Sequence, residues 1–375
     1  MDQLELRVIE STDELCASEQ AWDQLWQASD VTVPSARARI VSLWVESFSP
    51  GVTFRALTVE CNGLMVGALP IAGQKFLSLL NAGMLPCNAW AASGDLLIRT
   101  DVEIEPVLDK MVSGIEMLPW RRFVFEQIPY SEPRWVAFRS ALIRAGLFTS
   151  ALEQHRVGQV EISSDWAAYE KTRKSRHRQR RRRNARMLEK DGGSELKVYS
   201  ALAPEEVESS LLRGFEVEER SWKESAGTAV LGNKKISHYY LKEARQLAIW
   251  GQLELVFLEH NEVPIAFCYG WNAKGVRFCV KVGYDEAYAK YGPGQQQILK
   301  LLERIHEDRQ CVLYDFHGRL VPWTESWITK SYPVGRLLVV SSGAANKCFF
   351  TAYTKLQPIL KRTRTRIRQR FQSTA

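Results

Sequence analysis

Apolar and polar positions along the chain switch period several times, and each switch marks an element. A strand is predicted over Leu4–Glu10 and a helix over Glu14–Ala28. In "SARARIVSLWVESF", Ile40, Leu43, Trp44 and Phe48 recur at helical spacing, which predicts a second helix. "FRALTVECNGLMVGALPIAG" reads as two β-rich runs joined at Asn62-Gly63, a dipeptide suited to the left-handed residues of a tight hairpin turn. Residues 105–118 read as helix, "RRFVFEQIP" as strand, and "PRWVAFRSALIRAGL" as helix stopped at Gly146. A short β run, "QVEI" (159–162), precedes a long basic helix that starts near Asp165, a plausible N-cap, and ends at Gly192-Gly193. Another helix, "APEEVESSLLRGFEVEERSWK", opens with acids in its first turn, where the dipole favours them.

The last third is the most regular. "QLELVFLEH", "EVPIAFCYG" and "VRFCVKVGY" are three successive strands joined by short turns, an antiparallel meander. A helix follows with Ile298, Leu301, Leu302 and Ile305 on one face, then a buried strand, "CVLYDF". "LTVECNGLMVGALPI" (57–71) can be laid over "VFLEHNEVPIAFCYG" (256–270), matching Glu60 to Glu259 and Asn62 to Asn261. Either the chain holds two related α/β units in tandem, or these are two unrelated hairpins.

Composition narrows the class. With 375 residues, 45% of them hydrophobic, two domains are expected rather than one. The seven cysteines show no CxxC pair and no Cys/His metal spacing, which fits reduced thiols and no metal site. The start "MDQLELRVIESTDEL" has no apolar core of a signal peptide, and no run reaches membrane-spanning length, so a cytoplasmic protein is expected.

Charge is concentrated. Residues 171–186 hold ten Lys/Arg and no acid, and residues 361–370 hold six more; taking those sixteen from the net +7 leaves −9 for the rest. The basic helix lacks an apolar stripe and is expected to project or to lie over a surface. It could face RNA, an anionic membrane or an anionic acceptor. No RNA-binding motif or aromatic interleaving accompanies it, which favours the last two, at the inner membrane face.

Gly292-Pro293-Gly294 stands at the start of the last long helix. Proline is tolerated at a first helical turn, and free N–H groups at a helix start form an anion site. No GxSxG elbow, P-loop or HExxH is present.

A meander, a Gly-rich helix start and one more strand make the element order of the acyl-CoA-binding half of GNAT acetyltransferases, which this segment resembles. Three stretches sharpen the likeness: "EERSWKESAGTA" (218–229), "GYDEAYAKYGPGQ" (283–295) and "DFHGRLVPWTESW" (315–327) resemble the CelD-type branch, related to the FemABX-like peptidyltransferases. The likeness runs from about 160 to 330 and more loosely over the N-terminal part. It departs at Thr324, where family members usually carry Lys, and at Ala289, in place of the Arg or Gln of the pyrophosphate loop.

The resemblance implies an α/β (α+β) fold of tandem GNAT-like units, each a mixed, mostly antiparallel sheet flanked by helices. The expected units are 1–158, a degenerate GNAT-like domain; 159–345, the acyltransferase domain with the basic helix 165–190; and a basic tail, 346–375. It implies acetyl-CoA or another acyl-CoA as co-substrate, its pyrophosphate held by Lys290, Gly292, Pro293, Gly294, Gln295 and Gln296. Asp315 is the leading general base, its pKa raised by burial, with Glu218 as a second acid. His317 is a further candidate. Tyr284 or Tyr291 would protonate the leaving thiolate. Trp222, Lys223 and Trp323 are expected on the acceptor side. Each has a plainer alternative: Asp315 a turn cap, Glu218 a solvated acid, the tyrosines packing residues. The function implied is N- or O-acylation of a cell-envelope or exopolysaccharide precursor. The alternatives are aminoacyl transfer from charged tRNA and an inactive scaffold.

Overall fold

The computed structural model describes residues 3–356 apart from 78, 164 and 222–226. Trp222, Lys223 and the basic stretch 361–370 therefore lie outside the described residues. Among the described residues, thirteen strands form one sheet: β1 (Leu4–Ile9), β2 (Phe54–Cys61), β3 (Leu64–Phe76), β4 (Leu80–Met84), β5 (Leu97–Ile98), β6 (Arg122–Ile128), β7 (Phe148–Glu161), β8 (Glu195–Tyr199), β9 (Leu253–His260), β10 (Val263–Ala273), β11 (Val276–Tyr284), β12 (Leu313–Arg319) and β13 (Lys330–Val340). Their spatial order is β1-β2-β3-β4-β6-β13-β7-β12-β11-β10-β9-β8, with β5 beside β3.

The order repeats. β1 to β4 pair antiparallel in sequence and β4 then meets β6 in parallel; β8 to β11 do the same and β11 meets β12 in parallel. The β2–β3 and β9–β10 hairpins occupy equivalent places, and Asn62 and Asn261 take the left-handed conformation at their tips (φ 52° and 49°). The sequence echo is thus a structural repeat, and the mixed, mostly antiparallel sheet flanked by helices is present in both halves.

The halves exchange strands at the centre. β7 ladders with β12 of the second half, β13 with β6 of the first, and β7 and β13 with each other. The unit boundary expected at 158/159 falls inside β7.

Helices Glu19–Ala28 and Ala38–Phe48 of the first half pack with Val207–Glu219 and Lys234–Ile249 of the second in one core on one face of the sheet. Trp22, Trp44, Phe215 and Tyr239 are fully buried there. Arg37 crosses the junction, paired with Asp23 at 2.5 Å and stacked 3.4 Å from the Trp250 ring centre. Lys274, in the β10–β11 turn, donates to the carbonyls of Trp26, Ser29 and Val31. On the other face, helix Pro293–Asp308 lies on β9 to β11, its Ile298, Leu301, Leu302 and Ile305 buried as the spacing predicts.

The basic segment is two helices, Trp166–Lys171 and Ser175–Lys190. Asp165 caps the first through Ala168 N–H. The second does not project. Arg181, Asn184 and Leu188 are buried, a mostly polar stripe that an apolar periodicity search passes over. Among the described residues, no helix is long and apolar enough to cross a membrane.

Candidate functional site

β11 and β12 stay paired only from Val276–Leu313 to Phe278–Asp315, and no ladder pair joins them further on among the described residues. β11 also carries a bulge: Tyr269 faces Lys281 and the next residue, Gly270, faces Cys279, leaving Val280 as the extra residue. A Cβ on Gly270 would lie 2.4 Å from Phe278 O, so the bulge depends on that glycine. Beside this divergence is a cavity of about 560 Å³ lined by both halves.

Its second-half wall contains Asp315, His317, Trp271, Phe278, Val280, Lys281, Tyr240 and Glu243. Asp315 is buried; Gln159 Nε2 donates to it at 2.7 Å and His317 N–H at 2.6 Å. Burial pushes its carboxyl up, against His317, Gln159 and Tyr332, which favour the anion. His317 holds φ 48° and rests its ring against Trp271 and Phe278, centres 5.0 and 5.7 Å away; burial lowers its pKa, opposed by Asp315.

Glu243 is fully buried, accepting from Tyr239 OH at 2.8 Å and Tyr269 OH at 2.6 Å. Burial pushes it up to about 7, with both phenols and Lys281 opposing. The first-half wall brings Trp90, Glu132 and Arg134, the last paired with Asp95 at 3.0 Å and Asp30 at 3.1 Å.

The glycine-rich helix start lies on the other face. Phe278 and Val280 point toward the shared core and cavity, whereas Cys279 and Val282 point toward helix Pro293–Asp308. Gly292 is left-handed (φ 62°) and caps that helix. The N–H groups of Gln295 and Gln296 both donate to Gly292 O, and proline has none. This leaves Gly294, above which a Cβ would meet nothing within 4 Å, as the open position. Gln295 Oε1 accepts from Trp327 Nε1 at 3.1 Å, Gln296 Nε2 donates to Arg181 O at 3.1 Å, and the Arg181 guanidinium stacks 3.7 Å from the Trp327 ring centre.

The structure brings Asp315 and His317 together in the cavity and gathers Gly292 to Gln296 at one helix start. Of the other expected residues, Glu218, Tyr284, Tyr291, Lys290 and Trp323 do not line the cavity, and Trp222 and Lys223 lie outside the described residues. Glu218 is buried at the end of helix Val207–Glu219 and accepts from Val230 N–H at 3.2 Å. Tyr284 packs with Leu188, Leu258, Ile265 and Tyr291. Lys290 is exposed, 3.9 Å from Asp191. Trp323 is 40% exposed, edge-on to Phe316. Thr324 is buried and closes a short helix, accepting from Val321 N–H at 3.0 Å. Glu243 was missed with its helix, although a lone carboxylate among Ile236, Tyr239, Tyr240, Ala244 and Leu247 on one face was the available signal.

Residues 175–323 match the family model described as an acetyltransferase (GNAT) domain. That match spans 149 of the 375 residues and supports an acyltransferase. No curated protein matches. Among solved structures, FemX is similar with a TM-score of 0.58 at 10% identity, over 89% of this chain and 98% of FemX. The C-terminal domain of a putative lysylphosphatidylglycerol synthetase from Agrobacterium fabrum gives 0.53 at 12%, over 91% and 96%. A protein of unknown function from Bacteroides thetaiotaomicron gives 0.54 at 12%, over 90% and 100%. At such identities the likeness is one of fold.

Proposed function

We propose that the protein transfers an acyl group from acyl-CoA to a cell-envelope or exopolysaccharide precursor held in the cavity between its halves. The carrying observation is the divergence of β11 and β12 at Phe278–Asp315, which opens beside the cavity in a matched acetyltransferase domain. The open helix start at Gly294 fits the donor's phosphates: one free N–H, the positive end of a 16-residue helix, and no side chain in the way. The donor supplies an activated acyl carbon. Asp315, tied by Gln159 and the His317 N–H, is placed to take a proton in the cavity.

The envelope assignment draws on the CelD-type stretches and on the fold shared with FemX and a lysylphosphatidylglycerol synthetase domain. The basic helix would hold the enzyme near an anionic surface or acceptor. FemX and that helix together also favour a second reading, aminoacyl transfer from charged tRNA.

Calorimetric titration with acetyl-CoA, a long-chain acyl-CoA and charged tRNA separates the readings. Micromolar acyl-CoA binding that Gly294→Trp abolishes supports the first. Salt-sensitive tRNA binding without acyl-CoA binding supports the second. No binding of either leaves an inactive scaffold.

A further inference from the structure

Three acid-free runs of chain meet at the start of β6. Residues 72–84, 118–123 and 341–375 contain no Asp or Glu, and the last run holds eight Lys/Arg. The ladders join them: β3 pairs with β4, β4 runs beside the start of β6, and β6 pairs with the end of β13. Helical residues 344–356 pack back on this end of the sheet, Phe350 stacked on Phe148 at 5.6 Å and Tyr353 against Phe76 at 5.5 Å. The Arg122 guanidinium lies 4.5 Å from the Phe349 ring centre. Lys75, Arg121, Lys347 and Lys355 are exposed. Among the described residues none of these five cations meets a carboxylate, whereas Arg7, Arg144, Arg182 and Arg245 on other surfaces all do.

The β3–β4 tip at this end carries two leucines in the open. Leu77 is 55% exposed and Leu79 82%, the barest large hydrophobic among the described residues. Leu77 also holds φ 51°, a left-handed conformation that Gly or Asn would take at less cost. Leu356, three residues past Tyr353, is exposed as well. A single exposed leucine means little. A strained one and a nearly bare one on the same turn, beside unpaired cations, point to a partner that is both apolar and anionic.

We infer that this end of the molecule docks on an anionic lipid bilayer, with the tip leucines in the interface and the cations at the headgroups. Leucines gain nothing from the phosphates of a nucleic acid, whereas acyl chains reward their burial. Apolar insertion and a basic patch together hold a protein where either alone is marginal. The chain runs on from Leu356 into the six Lys/Arg of 361–370, which add to the same attraction. From Phe148 at this end to His155 on the cavity wall, β7 covers roughly 20 Å at about 3.3 Å per residue, so the contact leaves the cavity clear. It does not depend on the acyl-transfer reading.

The test sediments the full-length protein with vesicles of phosphatidylcholine alone, and with vesicles in which about one lipid in three is phosphatidylglycerol. Only the anionic vesicles should carry the protein down, and high salt should release it. Leu77→Ser with Leu79→Ser should weaken the partition by about 10-fold or more. Lys347→Gln with Lys355→Gln should weaken it by about 10-fold. All four side chains are exposed, so urea unfolding, acetyl-CoA binding and thiol release from acetyl-CoA should not change. Should the leucine pair fail to fold, Leu79→Ser alone decides. Equal binding to both vesicles, or to neither, overturns the inference. So does anionic binding that the leucine substitutions leave intact, which would assign the contact to charge alone. Binding of a short single-stranded RNA that the lysine pair weakens, without vesicle binding, overturns it in favour of a nucleic acid.

Discussion

Replacing Gly283 by alanine tests whether the Gly-Tyr-Asp stretch exists for packing. Gly283 is near the end of β11, against the last turn of helix Val207–Glu219. A Cβ there would stand 2.5 Å from Glu218 Cα, 2.9 Å from its Cβ and 3.0 Å from its backbone N. Carbon atoms rest at roughly 3.5–4.0 Å, so strand and helix must part by about 1 Å. Two of the three obstructing atoms are backbone, and no rotamer change clears them. Overpacking a core costs about 1–3 kcal/mol, and this site belongs at the upper end, about 3 kcal/mol. The same 1 Å would shift the β11 edge beside the cavity, enough for about a 100-fold loss in kcat/KM. Urea unfolding with an unchanged m-value reads the first effect and thiol release the second. Gly294→Ala is the control: its Cβ meets open space, and its stability should stay within about 0.5 kcal/mol of wild type. A loss below about 0.5 kcal/mol for Gly283→Ala would refute the close approach.

Further outcomes concern the rest of the framework. Burial lowers the His306 pKa; its Nδ1–H donates to Leu302 O at 2.7 Å, while its ring packs on Trp166 and Tyr169. The unfolded chain then binds the extra proton first, so this site loses stability as pH falls through 6.5. The stability gap between wild type and His306→Gln should narrow from pH 7 to pH 5 in urea titrations; a constant gap contradicts it. Lys274→Ala removes a donor shared by three carbonyls at the junction and should lower stability by about 2–3 kcal/mol in the same assay. Thr324→Ala removes the side-chain cap of helix Pro322–Glu325 and should lower it by about 1 kcal/mol.

Local order was legible wherever one residue type decides it. Asn62-Gly63 and Asn261 mark hairpin tips because left-handed backbone favours them, and those tips revealed the repeat. Asp315 was found because an acid closing an apolar run stands out. The partners of Asp315 could not be read: Gln159 is 156 residues away, and the exchange of β7 with β13 that positions it has no local signature. Glu218 followed the opposite course. A carboxylate in a polar-looking helix end turned out to be buried against the Val230 amide, because the glycine at 283 lets the strand press on that turn. The basic helix misled through charge: guanidinium stacking on Trp327 substitutes for an apolar stripe at Arg181.

The central ladder also sets how the cavity can move. β7 and β13 share eleven residue pairs, and each belongs by chain order to one half while pairing outward with the other. Rotating the halves apart would strain this ladder, so widening the cleft by hinge rotation carries a cost in backbone hydrogen bonds. Adjustment falls to side chains and to the connecting stretches around 88–95 and 129–132. If the cavity takes the acceptor as proposed, selectivity is decided at the rim, on entry, and an acceptor too wide to pass is refused before any chemistry can act on it.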